Sequence, residues 1–220
     1  MRNQIEFVVV DDHPLFRQGL VSVIGNNDRY TVIGEARTIS EALGIIGTRP
    51  PHVLLVDIAL QQENGLELVK QVKAMYPKIL QIVVSMYDEI IYASSALKSG
   101  ARGYVMKQEA AETLLEAIDT VLKGKIYLSA TMHERMLDSM FAQDSNAMEV
   151  DPIVQLSVRE LEVLRLIGQG FGVSEIGETL NLSVKTVNVY RDNIRHKLSI
   201  ADAGELRKFA IKWARGNESY

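Results

Sequence analysis

Cysteine is absent from all 220 residues, which excludes disulfide bonds and thiolate metal sites and suits a reducing compartment. Long hydrophobic runs are missing as well. The N-terminus offers Arg2 and one strand-length apolar stretch before Asp11 and Asp12 end it, so neither a secretory leader nor a membrane span is expected. With 47% hydrophobic residues, this is the sequence of a soluble protein expected in the cytoplasm. A strong charge of one sign is also lacking, since 24 Lys and Arg stand against 28 Asp and Glu. The balance is uneven along the chain, however. From Leu156 onward 10 basic residues face 8 acidic ones, which leaves 14 against 20 before it. A front half at net −6 and a back part at net +2 imply two different jobs, and the length suits two cores of ordinary size.

What is present in the first half is alternation. Short Val- and Ile-rich runs recur at Ile5 to Val10, Tyr30 to Ala36, Val53 to Val56, Ile79 to Val84 and Gly103 to Val105. Most lack an in-out pattern, as strands covered on both faces of a parallel sheet do. Helical spacing fills the gaps. Phe16, Leu20, Val23 and Ile24 form one stripe behind Pro14 at the first helical position, and Leu114, Ile118, Val121 and Leu122 form another before Gly124. Strand and helix alternating five times predicts an open, doubly wound α/β domain. After Lys123 the alternation stops. Met132, Met136 and Met140, with Leu137 and Phe141, suggest a short amphipathic helix, and residues 142–152 read as a linker. From Leu156 everything reads as helix: a Ser157/Glu160 capping box, a break at Gly168 to Gly172, a short helix from Val173 to Leu180, and a longer one capped by Ser183. Asp202 can cap a last helix with Leu206, Ala210 and Trp213 on one side. Short helix, tight turn and longer helix read as helix-turn-helix. Gly177, inside the short helix, costs about 1 kcal/mol relative to alanine, so close approach to the next helix is the expected reason for it.

In an open α/β sheet the ligand site lies beyond the carboxyl ends of the strands. That edge would gather Asp11 and Asp12 from the first strand, Asp57 from the third, Ser85 from the fourth and Lys107 after the fifth. At an effective dielectric of about 20, two like charges ~4 Å apart repel by roughly 4 kcal/mol, so cations must sit among these carboxylates. Lys107 supplies one. The remaining excess suits a hard divalent ion, and an oxygen-only donor set favours Mg²⁺ over zinc. Asp57 is then placed to act as a carboxylate nucleophile toward phosphorus, with Ser85 offering a hydroxyl to one phosphoryl oxygen. His13 reads as a surface loop residue beside Pro14 rather than a metal ligand.

Asp11-Asp12, Asp57, Ser85 and the run Gly103-Tyr104-Val105-Met106-Lys107 resemble the receiver domain of two-component response regulators. Leu156-Ser157-Val158-Arg159-Glu160-Leu161 and Ser183-Val184-Lys185-Thr186-Val187 resemble the LuxR-type helix-turn-helix, which places the chain in the NarL/FixJ branch. The resemblance implies a flavodoxin-like five-stranded sheet in order 2-1-3-4-5 over residues 1–124, a linker over 125–152, and a small all-α DNA-binding domain over 153–220. It also implies that Asp57 accepts phosphate from a sensor histidine kinase and that Asp11 or Asp12 and Asp57 bind Mg²⁺ with the backbone carbonyl of Ala59. Lys107 would contact the phosphoryl group. Ser85 and Tyr104 would be a switch pair, the hydroxyl moving toward phosphate and the ring turning inward behind it. Such a protein is a regulator, not a turnover enzyme. Leu60-Gln61 stands where many receivers have Met-Pro, Met86 where many have Ala or Gly, and Gln108 where Pro is frequent; none of these removes a reacting group.

Projecting the longer helix at 100° per residue puts Val184, Val187, Arg191, Ile194 and Leu198 on the inner side. Lys185, Val189, Asp192 and His196 fall opposite, beside Thr186, Asn188 and Asn193. An apolar Val189 on the outer face can touch a thymine methyl, and Asn188 can pair with an adenine edge. Lys185, Thr186, Tyr190, Arg191 and Lys197 are expected on phosphates of double-stranded DNA. The resemblance assigns base contact to Asn188, Val189 and Asp192. Because Asp192 repels phosphates, one domain should bind weakly, and a homodimer on two half-sites is expected. Two rivals remain: a Mg²⁺-dependent phosphate-ester hydrolase on the same acidic edge, and a DNA-binding protein with a degenerate receiver controlled by protein contact alone.

Overall fold

The computed structural model describes residues 4–60, 63–109, 111–134, 153 and 156–218. The chain divides into two compact units, 1–142 and 143–220. In the first, five strands form one parallel sheet: β1 (Ile5–Val10), β2 (Tyr30–Ala36), β3 (Val53–Val56), β4 (Leu80–Ser85) and β5 (Gly103–Met106), in the order β2-β1-β3-β4-β5. This is the expected order. Helices α1 (Pro14–Gly25), α2 (Ile39–Thr48), α3 (Gly65–Met75) and α4 (Glu89–Ser99) connect the strands, and α5 (Ala111–Leu122) follows the last of them. All four residues of β3 are buried, as a strand covered on both faces requires. On one face Phe7, Val9, Val53, Leu55, Ile82 and Val84 pack against Leu20 and Ile24 of α1 and Leu114, Ile118 and Val121 of α5. Each such side chain contributes about 1.5–3 kcal/mol on burial. The α1 and α5 stripes read from sequence are therefore the faces that hold the sheet.

Register decides what meets at the carboxyl edge. Val10 pairs with Val56 and Val56 with Val83, so Asp11 and Asp57 leave adjacent strands side by side, with the Asp57 amide donating to the Val10 carbonyl at 2.9 Å. Ser85 pairs with Met106, which brings Lys107 to the same edge, its amide on the Ser85 carbonyl at 2.8 Å. A small antiparallel hairpin, Ala59–Leu60 against Glu63–Asn64, then returns the chain to α3. Gly65 opens that helix directly against the site. A Cβ there would lie 1.9 Å from the Asp57 carbonyl oxygen and 3.0 Å from Val56 Cγ1. Backbone is a neighbour that cannot step aside. Gly65→Ala is therefore expected to cost about 1–3 kcal/mol or more in urea unfolding and to slow any chemistry at Asp57, by shifting the strand end that carries it. Unchanged stability and reactivity would contradict this packing.

Residues 125–134, read from the sequence as the start of the linker, pack on the first unit. Tyr127 bridges Gly103 at the sheet edge, and Leu128 and Met132 are buried. A single bridge and a short apolar run give little periodic signal, so the sequence pattern alone ends the domain at Gly124. Met136, Leu137, Met140 and Phe141, together with Gln61, lie outside the described residues.

The second unit contains α6 (Val158–Gly168), α7 (Val173–Leu180), α8 (Val184–Lys197) and α9 (Ala203–Glu218). The local signals act as read. Ser157 and Glu160 form both halves of a capping box, Ser183 Oγ accepts from the Thr186 amide, and the Asp202 carboxylate accepts from the Gly204 and Glu205 amides. Those two amides hold the Asp202 carboxyl below the usual range. Between α7 and α8 the chain turns through Asn181 in the left-handed region, φ 54°. A Cβ on Gly177 would meet the Leu182 carbonyl at 2.8 Å, so the close approach expected there is to the turn that launches α8. Val163, Leu164, Ile176, Val187, Ile194, Leu206 and Ala210 form the core. Among the described residues no helix is long and apolar enough to cross a membrane.

Candidate functional site

At the carboxyl edge of the sheet one cation bridges two carboxylates. Lys107 Nζ lies 2.6 Å from Asp11 Oδ2 and 2.7 Å from Asp57 Oδ2, and all three side chains are at most 3% exposed. The ammonium also sits 4.4 Å from the centre of the Phe16 ring. On the other side of Asp57, Ser85 Oγ donates to Oδ1 at 3.0 Å. Burial raises the Asp57 pKa above the ordinary carboxylate value; Lys107 opposes the rise, Asp11 adds to it, and Ser85 opposes it more weakly. Charge on this carboxylate thus carries a penalty that its neighbours only partly remove.

Asp12 and His13 complete the rim. The His13 imidazole Nδ1 is 2.8 Å from Asp12 Oδ1, and its ring is 65% exposed. Ligand atoms of Asp11, Asp12, His13 and Asp57 all lie within 4.8 Å of one another. His13 is therefore both a surface residue, as expected, and a neighbour of the acidic cluster, which was not. Three carboxylates gather here and the buried ammonium bridges only Asp11 and Asp57, so an oxygen-rich excess of negative charge remains that fits a hard divalent cation. Ala59, whose carbonyl was expected to join that set, stands two residues past Asp57 at the start of the hairpin.

One feature of this site is not apparent from the sequence pattern. Arg17 is buried: its Nη1 donates to the Asp11 carbonyl at 2.6 Å and its Nε to Glu35 at 3.0 Å, tying α1 to β1 and β2 under the acidic pair. Its place on the stripe 17, 20 and 24 was the available signal, because a charge repeating with two buried positions must be buried as well. Tyr104 is a residue the sequence does single out. Its ring is 1% exposed and its hydroxyl donates to the Tyr87 carbonyl at 2.8 Å. Burial raises its pKa well above the ordinary phenol value. The inward ring expected as one end of a switch is the arrangement present.

In the second unit α8 turns its polar side outward. Lys185, Asn188, Val189, Asp192, Asn193 and His196 are exposed, with Val189 at 51%, while Thr186, Tyr190 and Arg191 are half-buried. Val187 and Ile194 are buried, as the projection required. Val184, expected inside, is 50% exposed, because a projection gives a direction but not whether another element lies along it. Arg191 donates to Asn188 at 3.2 Å and Arg195 to Asp192 at 3.2 Å, so the acid on the outer face has a cation one turn away. Lys197 Nζ is 2.6 Å from Glu160 Oε2. Glu160 also accepts from the Ser157 amide, so Lys197 ties the end of α8 to the start of α6.

The profile of the response regulator receiver domain matches residues 7–119, and that of the bacterial regulatory proteins of the luxR family matches residues 154–210. The oxygen regulatory protein NreC of Staphylococcus carnosus is 32% identical over 212 residues, covering 94% of this chain and 97% of NreC. Among solved structures, two RcsB dimers bound to two parallel DNAs align at 27% identity, with a TM-score of 0.57 over 94% of this chain and 98% of that one. RcsB of Salmonella enterica serovar Typhimurium bound to promoter P1flhDC in the presence of the phosphomimetic BeF3⁻ aligns at 28% identity and a TM-score of 0.57, with the same coverage.

Proposed function

The chain belongs to the response regulators, a receiver domain followed by a luxR-family regulatory domain, and on that premise we propose that Asp57 takes a phosphoryl group from a sensor histidine kinase in the cytoplasm. It is a transcription regulator rather than an enzyme. One arrangement carries the reading: a buried carboxylate at a strand end, bridged by Lys107 on one oxygen and by Ser85 on the other. Attack by an Asp57 oxygen forms the O–P bond as the P–N bond of a phosphohistidine breaks and the imidazole leaves with its electron pair. Lys107, already between Asp11 and Asp57, takes up negative charge on the transferring group, and the Ser85 hydroxyl is in place to donate to a phosphoryl oxygen. Asp11, Asp12 and Asp57, with the Ala59 carbonyl, would hold Mg²⁺, which supplies further positive charge to those oxygens.

The test is incubation of the full chain with acetyl phosphate and Mg²⁺, then peptide mapping. One phosphoryl group on Asp57 is expected. Label on another residue, or none, refutes the assignment. Steady release of phosphate from many monoesters, far beyond one equivalent, would instead favour a hydrolase on the same edge.

For the second unit we propose that Lys185, Thr186, Tyr190 and Arg191 hold DNA phosphates, and that Asn188, Val189 and Asp192 meet base edges. The RcsB dimers on DNA support a homodimer on two half-sites as the binding form. Lys197, expected on a phosphate, is assigned to positioning α8 through Glu160. The roles separate by salt dependence. Lys185→Ala should weaken binding to every duplex and lower the salt slope by about 1, whereas Val189→Ala should change preference among duplexes. Lys197→Met should weaken binding with the slope unchanged and lower the unfolding temperature of the domain. Anisotropy titrations over a salt series check all three, and a slope lowered equally by both lysine variants would return Lys197 to the phosphates.

A further inference from the structure

A buried carboxylate at the start of α4 joins the switch residues to the chain beyond α5. Glu89 is 6% exposed, and its Oε1 accepts from the Ser129 amide at 2.8 Å, 40 residues away in sequence. Ser129 in turn caps the residues after it, its Oγ accepting from the Met132 amide at 3.2 Å. Two residues before Ser129 the same segment is stitched to the sheet edge. The Tyr127 amide donates to the Arg102 carbonyl at 2.9 Å, and the Tyr104 amide donates to the Tyr127 carbonyl at 3.1 Å. Leu128 and Met132 bury their side chains alongside, so the segment is packed as well as bonded.

The other end of this connection is the phosphoacceptor itself. Ser85 Oγ donates to Asp57 Oδ1, the Tyr87 amide approaches the same Oγ at 3.4 Å, and the Tyr104 hydroxyl donates to the Tyr87 carbonyl. Tyr87 lies two residues before Glu89, with only the N-cap residue Asp88 between them. The position of Glu89 is therefore set by the loop that Ser85 and Tyr104 hold. If the Tyr104 ring left the interior, the Tyr87 carbonyl would lose the hydroxyl that bonds it, the loop would loosen, and Glu89 would move off the Ser129 amide. The half-buried Ser129 amide would then give up the acceptor that Glu89 supplies, so the contact is either made or broken.

We propose that residues 127–133 are latched to the switch through Glu89 and the Tyr104 amide, and that phosphoryl acceptance at Asp57 tightens this latch. The signal thereby enters the chain leading to the DNA-binding unit along its backbone. The proposal rests on the phosphoacceptor reading above. The Glu89 contact, made or broken and biased by the site, carries the coupling, which a chain of neighbouring residues alone would not supply.

Amide hydrogen exchange on the full chain tests it, with beryllofluoride and Mg²⁺ as the phosphoryl mimic. In the parent, exchange at Ser129 and Tyr104 should slow about tenfold on adding the mimic, along with amides around Asp57. Glu89→Ala should lose the Ser129 response while the amides around Asp57 still respond. Glu89→Gln, which keeps a carbonyl oxygen as acceptor, should retain most of it. Protection around Asp57 with none across 127–133, or a full Ser129 response in Glu89→Ala, overturns the latch and leaves the phosphoacceptor reading standing. No protection anywhere in the parent overturns both.

Discussion

Asp57→Asn is expected to abolish phosphoryl uptake and, in the same molecule, to make the receiver more stable. The first effect is chemical: an amide oxygen is a poor nucleophile toward phosphorus, and loss of a nucleophile costs roughly three orders of magnitude or more. The second comes from the position of the carboxylate. Burial raises the Asp57 pKa, with Asp11 adding to it, so the folded state disfavours the ionised form. A raised carboxyl pKa means that folding is penalised above the folded value, and that the penalty fades as pH falls toward the unfolded value of about 3.9. Asparagine carries no charge and leaves Lys107 with Asp11. The melting temperature should therefore rise by about 2–4 °C for each kcal/mol of penalty removed, and the gap from the parent should close in acid. Calorimetry over a pH series, beside the acetyl phosphate assay, reads both. A variant that melts lower than the parent at neutral pH would mean that the Lys107 and Ser85 contacts outweigh the burial of charge.

That opposition between stability and function explains how much of the site is legible in the sequence. Asp11, Asp57, Ser85 and Lys107 stand out because each succeeds or ends a run of residues that must be buried, and a parallel sheet delivers such run ends to one edge. Ser157 with Glu160, and Ser183 before Val184, are legible because caps act within four residues. Arg17 is hidden by the ordinary expectation that arginine is solvated, although its spacing to Leu20 and Ile24 contradicts it. The Glu160 contact to Lys197 and the Glu89 contact to Ser129 join residues 37 and 40 apart, and nothing local marks either pair. The edge position of Tyr127 is obscured for a related reason. One bridge needs no strand-length pattern, so its only sequence trace is a short apolar run after Gly124.

Lys107→Met carries the largest expected loss of stability. The ammonium is 3% exposed and lies within 2.7 Å of two carboxylates that are themselves buried. Its removal leaves Asp11 and Asp57 facing each other without that cation, and breaking a buried pair from one side typically costs about 3–5 kcal/mol. The pH dependence has a definite sign. Lys107 opposes the rise in the Asp57 pKa, so without it that pKa climbs further above its unfolded value. The loss should be greatest above the folded Asp57 pKa and should shrink as acid protonates the group. Mg²⁺ should act in the same direction at neutral pH: if Asp11, Asp12 and Asp57 hold the ion, a concentration of 100 times its Kd returns about 2.7 kcal/mol. Uptake from acetyl phosphate should stay about 100- to 1,000-fold below the parent even then, because the charge removed from the transferring oxygens is not restored by refolding the site. Urea unfolding of both proteins, with and without Mg²⁺, at neutral and at acid pH, separates these terms. A deficit of the same size under all four conditions would mean that Lys107 matters for packing against Phe16 and not for charge, and the electrostatic account of the acidic edge would fail with it.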